Sequence, residues 1–472
     1  MRPFELTLTI FTVIGSMLYF FPKASGRLKY QVTPLALIVA IAAQIVLEGF
    51  RWQLWPLYAA LLLILLASGR ALLTGKPQGR SVGLASTGLV LALLSLVLGW
   101  LAPIPKPYPI SGPYQVGTII FPLKDTSRAE IYADDPNARR EIMLQIWYPA
   151  SPTKENQQAL WMPDVESAAP AIADWIGLPP FTLSHLKYVK ANAFIDAPVV
   201  SGSQKFPLLV FSHGWSGFKE QNIYQVEELA SHGYVVAAPN HTYGAVLTTF
   251  PDGRQMPRND SALPEGVTQE EYDRASNRLV RQWAADIGFV LDELARRDQA
   301  GGDWPLSGRL DFNRVGVFGH STGGGATAEF CATDARCKAA LMMDLWVEPV
   351  SSSVVSAGIS QPFLLMHSAA WSDTTEPNRN FSQIGELVEA SSGDATEFII
   401  AETMHHDFTS LPLLTPLAGN IGLRGTIPGE RVLDLINDYT LAFFNQYLFG
   451  MDQGLLLPEN APYSEAQFVS RP

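Results

Sequence analysis

The sequence predicts an α/β fold, in which helices flank a mostly parallel central sheet, preceded by an amino-terminal helical membrane region. First, the apolar excess of the 472 residues lies almost entirely before residue 103. Second, short apolar runs alternate with amphipathic ones after that point, as in a sheet covered by helices. Third, the glycine-rich segment GVFGHSTGGG at residues 316–325 joins an apolar run to a helix-like run.

The chain is acidic overall, because 33 lysines and arginines against 45 aspartates and glutamates give a net charge of −12. We therefore expect no nucleic-acid partner, since phosphate binding needs a basic face. There are only two cysteines, Cys331 and Cys337. This number excludes both a disulfide scaffold and a cysteine-rich zinc site.

Four apolar runs precede the α/β region, at residues 4–21, 32–47, 54–67 and 82–101. Few charges interrupt them, so we expect about four transmembrane helices within residues 1–103. The second and third runs are short for a span of about 20 residues. A cleaved signal peptide would explain only the first run, and buried helices of a soluble domain are the other alternative.

The loop charges predict the orientation of this region. The basic residues of the first loop are Lys23, Arg27 and Lys29, and those of the third loop are Arg70, Lys76 and Arg80. The second loop carries only Arg51, and the segment after the fourth run carries Lys106. The positive-inside rule therefore places the first and third loops in the cytoplasm, although Arg2 weakly opposes this. We expect an integral protein of the cell (inner) membrane whose carboxy-terminal domain faces the extracytoplasmic side.

A proline-rich linker at residues 104–114 is expected to lead into an α/β domain at residues 115–472. The segments that predict strands are, in order, IMLQIWYP, FPLLVFSHG, YVVAAPNH, RVGVFGHS, AALMMDLW, PFLLMHS and EFIIAETMHHDF. Helical spacing of apolar residues predicts one long helix at residues 268–298. Each of the last four strands is followed by a polar residue, at the sheet edge where open parallel sheets bind ligands.

The segment Gly319, His320, Ser321, Thr322, Gly323 is a G-x-S-x-G motif between a predicted strand and a predicted helix. In that context the motif is typical of a nucleophile elbow, a sharp turn that exposes the serine. The glycines let the strand and helix pass close together, and the helix amino terminus favours negative charge near Ser321. The alternative is that Ser321 is only a turn residue.

A serine nucleophile needs a base and an orienting acid, which follow it in the order acid then histidine in this kind of fold. Asp344 comes directly after the strand containing ALMM, and Asp373 is a rival because it follows the next strand. His405 follows the strand containing FII, and its neighbour His406 is the rival base.

An oxyanion hole requires two backbone N–H donors. We expect one from Thr322, next to the nucleophile, and one from Trp215, in the loop after the strand FPLLVFSHG. We expect His213 to shape this loop and His241 to be structural.

Four segments, VFSHGWSGFKEQNIYQVEELASHGYVVAA, GVFGHSTGG, MMDLW and HHDF, resemble the plasma and intracellular type II platelet-activating factor acetylhydrolases and their bacterial relatives. The similarity runs from about residue 112 to about residue 450. It implies an α/β-hydrolase fold, a serine–aspartate–histidine triad, no calcium requirement, and cleavage of short or oxidised acyl chains from phospholipids.

Residue by residue, the resemblance selects Ser321, Asp344 and His405 as catalytic residues, with Trp215 and Thr322 as oxyanion donors. Asp344 lies in the matching MMDLW segment, and His405 begins an H-x-x-F pattern that ends at Phe408. The chain departs from the family pattern in its membrane region, in Thr322 where phenylalanine is frequent, and in its doubled histidine.

We therefore expect a serine carboxylic ester hydrolase that uses an acyl-enzyme and acts on short-chain or oxidised acyl groups of phospholipids or related lipid esters. The alternatives are a polyester or cutinase-like esterase and an acyltransferase with the same triad. A transporter or receptor is disfavoured because Glu5 and Gln44 are the only modest polar candidates in the predicted spans. No metal or cofactor is expected, since no zinc-ligand spacing, phosphate-binding loop or dinucleotide motif is present.

Cys331 and Cys337 are six residues apart, between the helix after Ser321 and the strand that leads to Asp344. An extracytoplasmic domain can form a stable disulfide, and the intervening residues are enough to turn the chain back. The alternative is two small buried hydrophobic side chains.

Overall fold

A computed structural model describes residues 1–21, 24–74, 79–302 and 304–470. Lys23 and Lys76, which contributed to the orientation argument, lie outside the described residues, as does the side chain of Arg80. The chain folds into two compact units. The amino-terminal unit comprises Met1–Pro105, Pro179–Leu186 and Leu414–Leu417, and the carboxy-terminal unit comprises Lys106–Leu178, Lys187–Leu413 and Ala418–Pro472.

Within the residues that the structure describes, the amino-terminal unit is formed by four α-helices: α1 (Pro3–Met17), α2 (Thr33–Glu48), α3 (Trp55–Thr74) and α4 (Gly79–Leu101). The segments long and apolar enough to cross a membrane are Pro3–Phe20, Leu28–Glu48, Trp52–Leu73 and Val82–Leu101. The second and third contain 21 and 22 residues, more than the apolar runs alone, because short helical turns extend α2 and α3 at their amino ends. All four candidate spans therefore approach the length that a bilayer requires.

The four helices pack through small residues and expose large apolar ones. A side chain at Gly15 would meet Thr33, and one at Gly88 would meet the carbonyl oxygen of Ala60, so both glycines allow close approach of helices. On the outside, Leu73 and Val46 are among the most exposed apolar side chains. This distribution is typical of helices whose outer surface contacts lipid.

The amino-terminal unit contains more buried charge than the sequence suggested. The carboxylate of Glu5, which is buried, accepts hydrogen bonds from both Arg2 and Arg51. Arg51 is itself buried, as is Lys29, which donates to the carbonyl oxygen of Phe21. The expectation that Glu5 and Gln44 would be the only polar candidates was therefore wrong, because Arg51 folds back from its loop to neutralise Glu5.

The carboxy-terminal unit is built on an eleven-stranded sheet with a separate two-stranded hairpin. Its strands are β1 (Gln115–Ala129), β2 (Arg139–Ala150), β3 (Gln158–Leu160), β4 (Lys190–Ile195), β5 (Phe206–Ser212), β6 (Val235–Asn240), β7 (Leu247–Thr249), β8 (Gln255–Pro257), β9 (Leu310–His320), β10 (Cys337–Met343), β11 (Phe363–Ser368), β12 (Ala395–Ile400) and β13 (Ala466–Phe468). The order in the large sheet is β13-β12-β11-β10-β9-β5-β6-β2-β1-β4-β3. The run from β12 to β6 is parallel, so its carboxyl ends share one edge.

Helices cover both faces of this sheet: α5 (Val165–Trp175), α6 (Ile223–Ser231), α7 (Gln269–Ala300), α8 (Thr322–Thr333), α9 (Ser352–Ala357), α10 (Arg379–Ala390) and α11 (Gly429–Phe444). Successive side chains of β5 point to opposite faces of the sheet and pack into two separate hydrophobic cores. Leu208 and Val210 pack with α7 and α8 on one face, whereas Leu209 and Phe211 pack with α6 and α11 on the other. The predicted α/β-hydrolase architecture is confirmed.

The seven predicted strands correspond to β2, β5, β6, β9, β10, β11 and β12. The predicted long helix is α7, which begins after Thr268, where a capping box with Glu271 satisfies its first N–H groups. The strands at the sheet edges, β1, β3, β4 and β13, are not among the predicted segments. Most of β1 is paired with β2, and this pairing stabilises a segment that contains Pro122 and several charged residues.

The two cysteines form a disulfide between the end of α8 and the start of β10, with their Cα atoms 5.2 Å apart. Both are fully buried in the core on the α7 side of the sheet. The disulfide and the buried pair of small side chains were alternatives in the sequence. In the structure both hold, because the disulfide is itself part of the core.

Candidate active site

Ser321 lies at the turn between β9 and α8, with φ 55° and ψ −119°. This conformation is unfavourable for a residue with a side chain, and it projects the serine at the carboxyl edge of the sheet. Glycine is required on both sides. A Cβ at Gly319 would lie 2.3 Å from the carbonyl oxygen of Gly323, and one at Gly323 would lie 2.0 Å from that of Ser212. The motif therefore forms the strained elbow that its spacing predicts.

Asp344 follows β10 directly and is fully buried. Its Oδ2 accepts a hydrogen bond of 2.9 Å from Nδ1 of His405, which lies in the turn after β12. Ser368, at the end of β11, holds the carboxylate from the other side through its backbone N–H at 2.5 Å and its hydroxyl at 2.7 Å. With Nδ1 as donor, the neutral imidazole of His405 leaves Nε2 free to accept a proton.

Trp371 packs its ring against that of His405, with centroids 4.3 Å apart and an angle of 18° between the planes. The indole N–H donates to the carbonyl oxygen of Leu345, next to Asp344, at 3.0 Å. The His405 ring is thus held by a hydrogen bond at one edge and an aromatic face on one side.

The rival residues occupy different environments. Asp373 is exposed, and its carboxylate accepts from the N–H of Thr375 at 2.9 Å. His406 is half-buried, and burial together with the adjacent His405 lowers its pKa to about 4. In the described part of the chain, no carboxylate accepts a hydrogen bond from the His406 ring.

The two expected oxyanion donors lie at suitable backbone positions. Thr322 is the first residue of α8, so its N–H has no carbonyl within the helix to bond. Trp215 lies in the loop after β5, where Ser216 has a positive φ of 58° and Gly217 donates to the carbonyl oxygen of Gly214. Across the described residues, neither N–H has a hydrogen-bond partner.

A buried ionic network lies behind this loop. Asp286 accepts from Arg140, through two nitrogens at 3.0 and 2.6 Å, and from Nδ1 of His241 at 2.9 Å. Burial disfavours the ionised form of Asp286, but Arg140 and His241 outweigh it and hold its pKa far below the usual range. His241 also hydrogen-bonds the hydroxyl of Ser212, at the end of β5, at 3.0 Å.

His213 completes the support of the loop. Its Nδ1 donates to the carbonyl oxygen of Gly214 at 2.7 Å, and its Nε2 accepts from the N–H of His241 at 3.1 Å. Burial and the neighbouring His241 hold the pKa of His213 well below its usual value, so it is neutral. His213 therefore contacts the loop that it is expected to shape, and His241, expected to be structural, lies in a buried hydrogen-bond network.

Ligand atoms of His320, Asp344 and His405 lie within 4.8 Å of one another, a spacing that could hold a metal ion. However, both ring nitrogens of His320 are hydrogen-bonded, to the carbonyl oxygen of His405 and to the amide of Gln221. A cation would also have to displace the bond between Asp344 and His405. The cluster therefore fits proton transfer better than metal binding.

The platelet-activating factor acetylhydrolase isoform II family matches residues 104–454. The chain belongs to this family. It is therefore a carboxylic ester hydrolase with an α/β-hydrolase fold, and the family resemblance predicted from the sequence is confirmed.

Individual relatives agree with this assignment. A platelet-activating factor acetylhydrolase from Cavia porcellus is 26% identical over 73% of this chain and 78% of its own length. A fungal protein from Arthroderma benhamiae, named a probable 1-alkyl-2-acetylglycerophosphocholine esterase, is 25% identical over 78% of this chain and 93% of its own. The solved structure of a ferulic acid esterase from Streptomyces cinnamoneus aligns with a TM-score of 0.63 and 25% identity, covering 78% of this chain and all of that one.

Three residues of the site are not singled out by the sequence: Ser368, Trp371 and Gln221. Ser368 carries a signal, because it is the polar residue just past the apolar part of β11. Trp371 and Gln221 carry none, since their roles depend on how the loops after β11 and β5 fold against His405 and His320.

Proposed function

We propose that Ser321, Asp344 and His405 form a catalytic triad that hydrolyses carboxylic esters through an acyl-enzyme. The observation that carries this proposal is the 2.9 Å hydrogen bond between His405 and the buried Asp344, at the same sheet edge as the strained Ser321. Membership of an ester hydrolase family supports it independently.

In the first step, the Ser321 oxygen attacks the acyl carbon while Nε2 of His405 takes its proton. The resulting imidazolium is stabilised by the Asp344 carboxylate, and its proton then passes to the leaving alkoxide as the carbon–oxygen bond breaks. Water, deprotonated by the same Nε2, then attacks the acyl carbon. The bond between that carbon and the Ser321 oxygen breaks, the oxygen takes the proton back from His405, and the acid is released. Asp344 stays ionised throughout and holds the imidazole in the required tautomer.

The backbone N–H groups of Trp215 and Thr322 are the donors that we assign to the oxyanion. Both are without a partner in the described chain, so negative charge on the substrate oxygen would satisfy two groups that are otherwise unpaired. The amino end of α8 adds a favourable field at the same point.

We assign short-chain or oxidised acyl groups of phospholipids, or related lipid esters, as the substrate class. The support is the family itself and the names of the relatives from Cavia porcellus and Arthroderma benhamiae. The four apolar helices would keep such an enzyme at its lipid source.

The test is turnover of a panel of glycerophosphocholine esters ordered by acyl length, compared with Ser321→Ala. We expect hydrolysis of acetyl and other short or oxidised chains, a steep fall towards long unmodified chains, and turnover by the variant at least about 10³-fold below that of the wild type. Preferential hydrolysis of long chains would contradict the substrate class, and full turnover by Ser321→Ala would contradict the mechanism.

The structural similarity to a ferulic acid esterase favours a second candidate, an esterase acting on aryl esters. A polyester hydrolase is the related alternative that the sequence left open. Adding feruloyl esters and a polyester to the same panel separates the two candidates. An acyltransferase with the same triad would be revealed by transfer of the acyl group to an added alcohol instead of water.

We further propose that residues 1–103 anchor the enzyme in the cell membrane, with residues 104–114 as a linker and residues 115–472 as an extracytoplasmic catalytic domain. The charge distribution of the loops supports this orientation, as does the Cys331–Cys337 disulfide, because such bonds are rare in cytosolic proteins. Protease added to spheroplasts should digest the catalytic domain. If the catalytic domain is instead protected from the protease, its orientation is the opposite of the one proposed.

A further inference from the structure

His320, the residue before the nucleophile, has no role in the proposed chemistry, yet both of its ring nitrogens are engaged. Nε2 lies 3.0 Å from the carbonyl oxygen of His405, and Nδ1 lies 3.2 Å from Nε2 of Gln221. A carbonyl oxygen can only accept and an amide nitrogen can only donate, so the partners assign a neutral ring with its proton on Nε2. Burial, reinforced by the neighbouring His405 and His406, holds the pKa of His320 well below its usual value.

Gln221 connects this histidine to the loop after β5 that carries Gly214 and Trp215, which we call the oxyanion loop. Its Oε1 accepts from the N–H of Gly214, the residue before Trp215, at 3.1 Å. The loop wraps closely around this amide, because a Cβ at Gly217 would lie 2.1 Å from Oε1 and one at Gly214 would lie 3.2 Å from Nδ1 of His320. Turning the amide over would place two donors face to face at Gly214, so its orientation is fixed.

The segment that carries Gln221 also holds the turn that carries His405. The carbonyl oxygen of Gln221 accepts from the N–H of Ser410 at 2.9 Å. The carbonyl oxygen of Phe408 accepts from the amide of Asn222 at 2.8 Å and from the hydroxyl of Tyr224 at 3.2 Å. The loop after β5 and the turn after β12 are thus tied together directly as well as through His320.

We propose that Gln221 and His320 are positioning residues that couple the oxyanion loop to the general base. His320 fixes the backbone of His405, and Gln221 holds His320 in the tautomer that does so while anchoring the loop of Trp215. The inference rests on the proposed function, because it assigns a role relative to the proposed triad.

The substitution Gln221→Glu tests this coupling without changing the size of the side chain. A carboxylate can only accept, so Nδ1 of His320 must gain a proton to keep its bond while Nε2 continues to donate. The resulting imidazolium would lie 4.4 Å from the His405 ring, centroid to centroid. The other titratable groups facing it are His406, from the same turn, and Asp344, at the end of β10.

A positive charge at His320 disfavours protonation of His405, and the new carboxylate offsets this only in part, because it bonds Nδ1 whereas Nε2 is the ring nitrogen that bonds His405. We therefore expect the acidic limb of the kcat/KM profile to move down by about 1 pH unit in Gln221→Glu. The matched control is Gln145→Glu, since Gln145 is an equally buried glutamine on β2 that donates one hydrogen bond, to Thr118, at 3.1 Å. The control should leave the limb in place. An unmoved limb in Gln221→Glu, or a loss equal at every pH, would overturn the proposal.

A second arm compares His320→Leu with His320→Gln. The leucine variant loses the donor to His405, and we expect kcat to fall about tenfold at unchanged KM, whereas the glutamine variant, which can still donate, should recover most of it. The proposal would be overturned if His320→Leu kept the kcat of the wild type, or if His320→Leu and His320→Gln lost kcat equally. Fluorophosphonate labelling of the wild-type enzyme at Ser321 is followed in parallel. An unlabelled Ser321 would reject the proposed function itself, whereas labelled enzyme with unmoved profiles rejects only the coupling.

Discussion

The substitution Asp344→Asn is predicted to lower kcat by three to four orders of magnitude, because the surroundings of Asp344 dictate how the new amide must lie. Oδ1 faces the N–H of Ser368 at 2.5 Å, so the amide oxygen must take that position. The amide nitrogen then faces Nδ1 of His405, and two donors would meet there. His405 responds by moving its proton to Nε2, where it can no longer accept the proton of Ser321.

The charge itself adds to this effect. At 2.9 Å and an effective dielectric constant of about 20, a carboxylate stabilises an imidazolium by about 6 kcal/mol, the same order as a loss of about 10⁴-fold. The assay is kcat on a short-chain ester, with thermal unfolding of each variant to exclude loss of the fold. Asp373→Asn is the control and should stay within about twofold of the wild type, because Asp373 is exposed and its carboxylate accepts a hydrogen bond from the N–H of the nearby Thr375. If Asp344→Asn retains more than a tenth of kcat, or if Asp373→Asn is the damaging change, the assignment of the acid is wrong.

The same structure leads to four further predictions. Ser321→Ala and His405→Ala should each lower kcat by about three or more orders of magnitude, whereas His406→Ala, measured in the same assay, should not, and the reverse ranking would reassign the base. Activity in excess EDTA should equal that in buffer, and a loss restored by added metal would show that a metal takes part. Replacing both Cys331 and Cys337 by alanine should lower the free energy of unfolding by about 2 kcal/mol, the value for a loop this short, and an unchanged denaturation midpoint would show that the bridge contributes nothing. Burial raises the pKa of Glu227 to about 7, although hydrogen bonds from Asn192 and Ala193 act in the opposite direction. Between pH 4.5, the ordinary glutamate pKa, and pH 7, the folded state therefore keeps a proton that the unfolded chain has lost. Glu227 should therefore contribute a loss of stability of up to about 3 kcal/mol as the pH rises from 4.5 to 7. In denaturation at each pH, the wild type should lose that much more stability than Glu227→Gln, in which Glu220, whose pKa burial also raises to about 7, still titrates.

The sequence predicted the centre of the sheet better than its edges. Strands β5, β9, β10 and β11 are continuous apolar runs, because both of their faces are buried, and such runs are readable without knowledge of their partners. Strand β1 carries Pro122 and charged residues, and β13 contains three residues, so both depend on pairing with a neighbouring strand. Pairing of that kind is a tertiary interaction that local patterns do not contain.

The candidate site shows the same division. Gly319, Ser321 and Gly323 follow from local steric requirements, so a motif of five residues was enough to predict the elbow. The environment of His405 was not predictable in this way. Trp371 packs against the His405 ring from the loop after β11, and Gln221 bonds the neighbouring His320 from the loop after β5. Only the strand order brings those two loops together.

The ion pair between Glu5 and Arg51 is a third case. The two residues are 46 positions apart, and hydropathy alone assigns one to a span and the other to a loop. Their pairing requires α1 and the start of α3 to pack together, which the apolar pattern of single helices does not specify.

The most direct test of the central claim is to react the full-length enzyme with a fluorophosphonate and locate the adduct by tandem mass spectrometry. We predict one phosphonyl group per chain on Ser321, with labelling abolished in Ser321→Ala and slowed at least about 10³-fold in His405→Ala, as the loss of a triad member implies. An adduct on another serine, or equal labelling of the wild type and Ser321→Ala, would contradict the account.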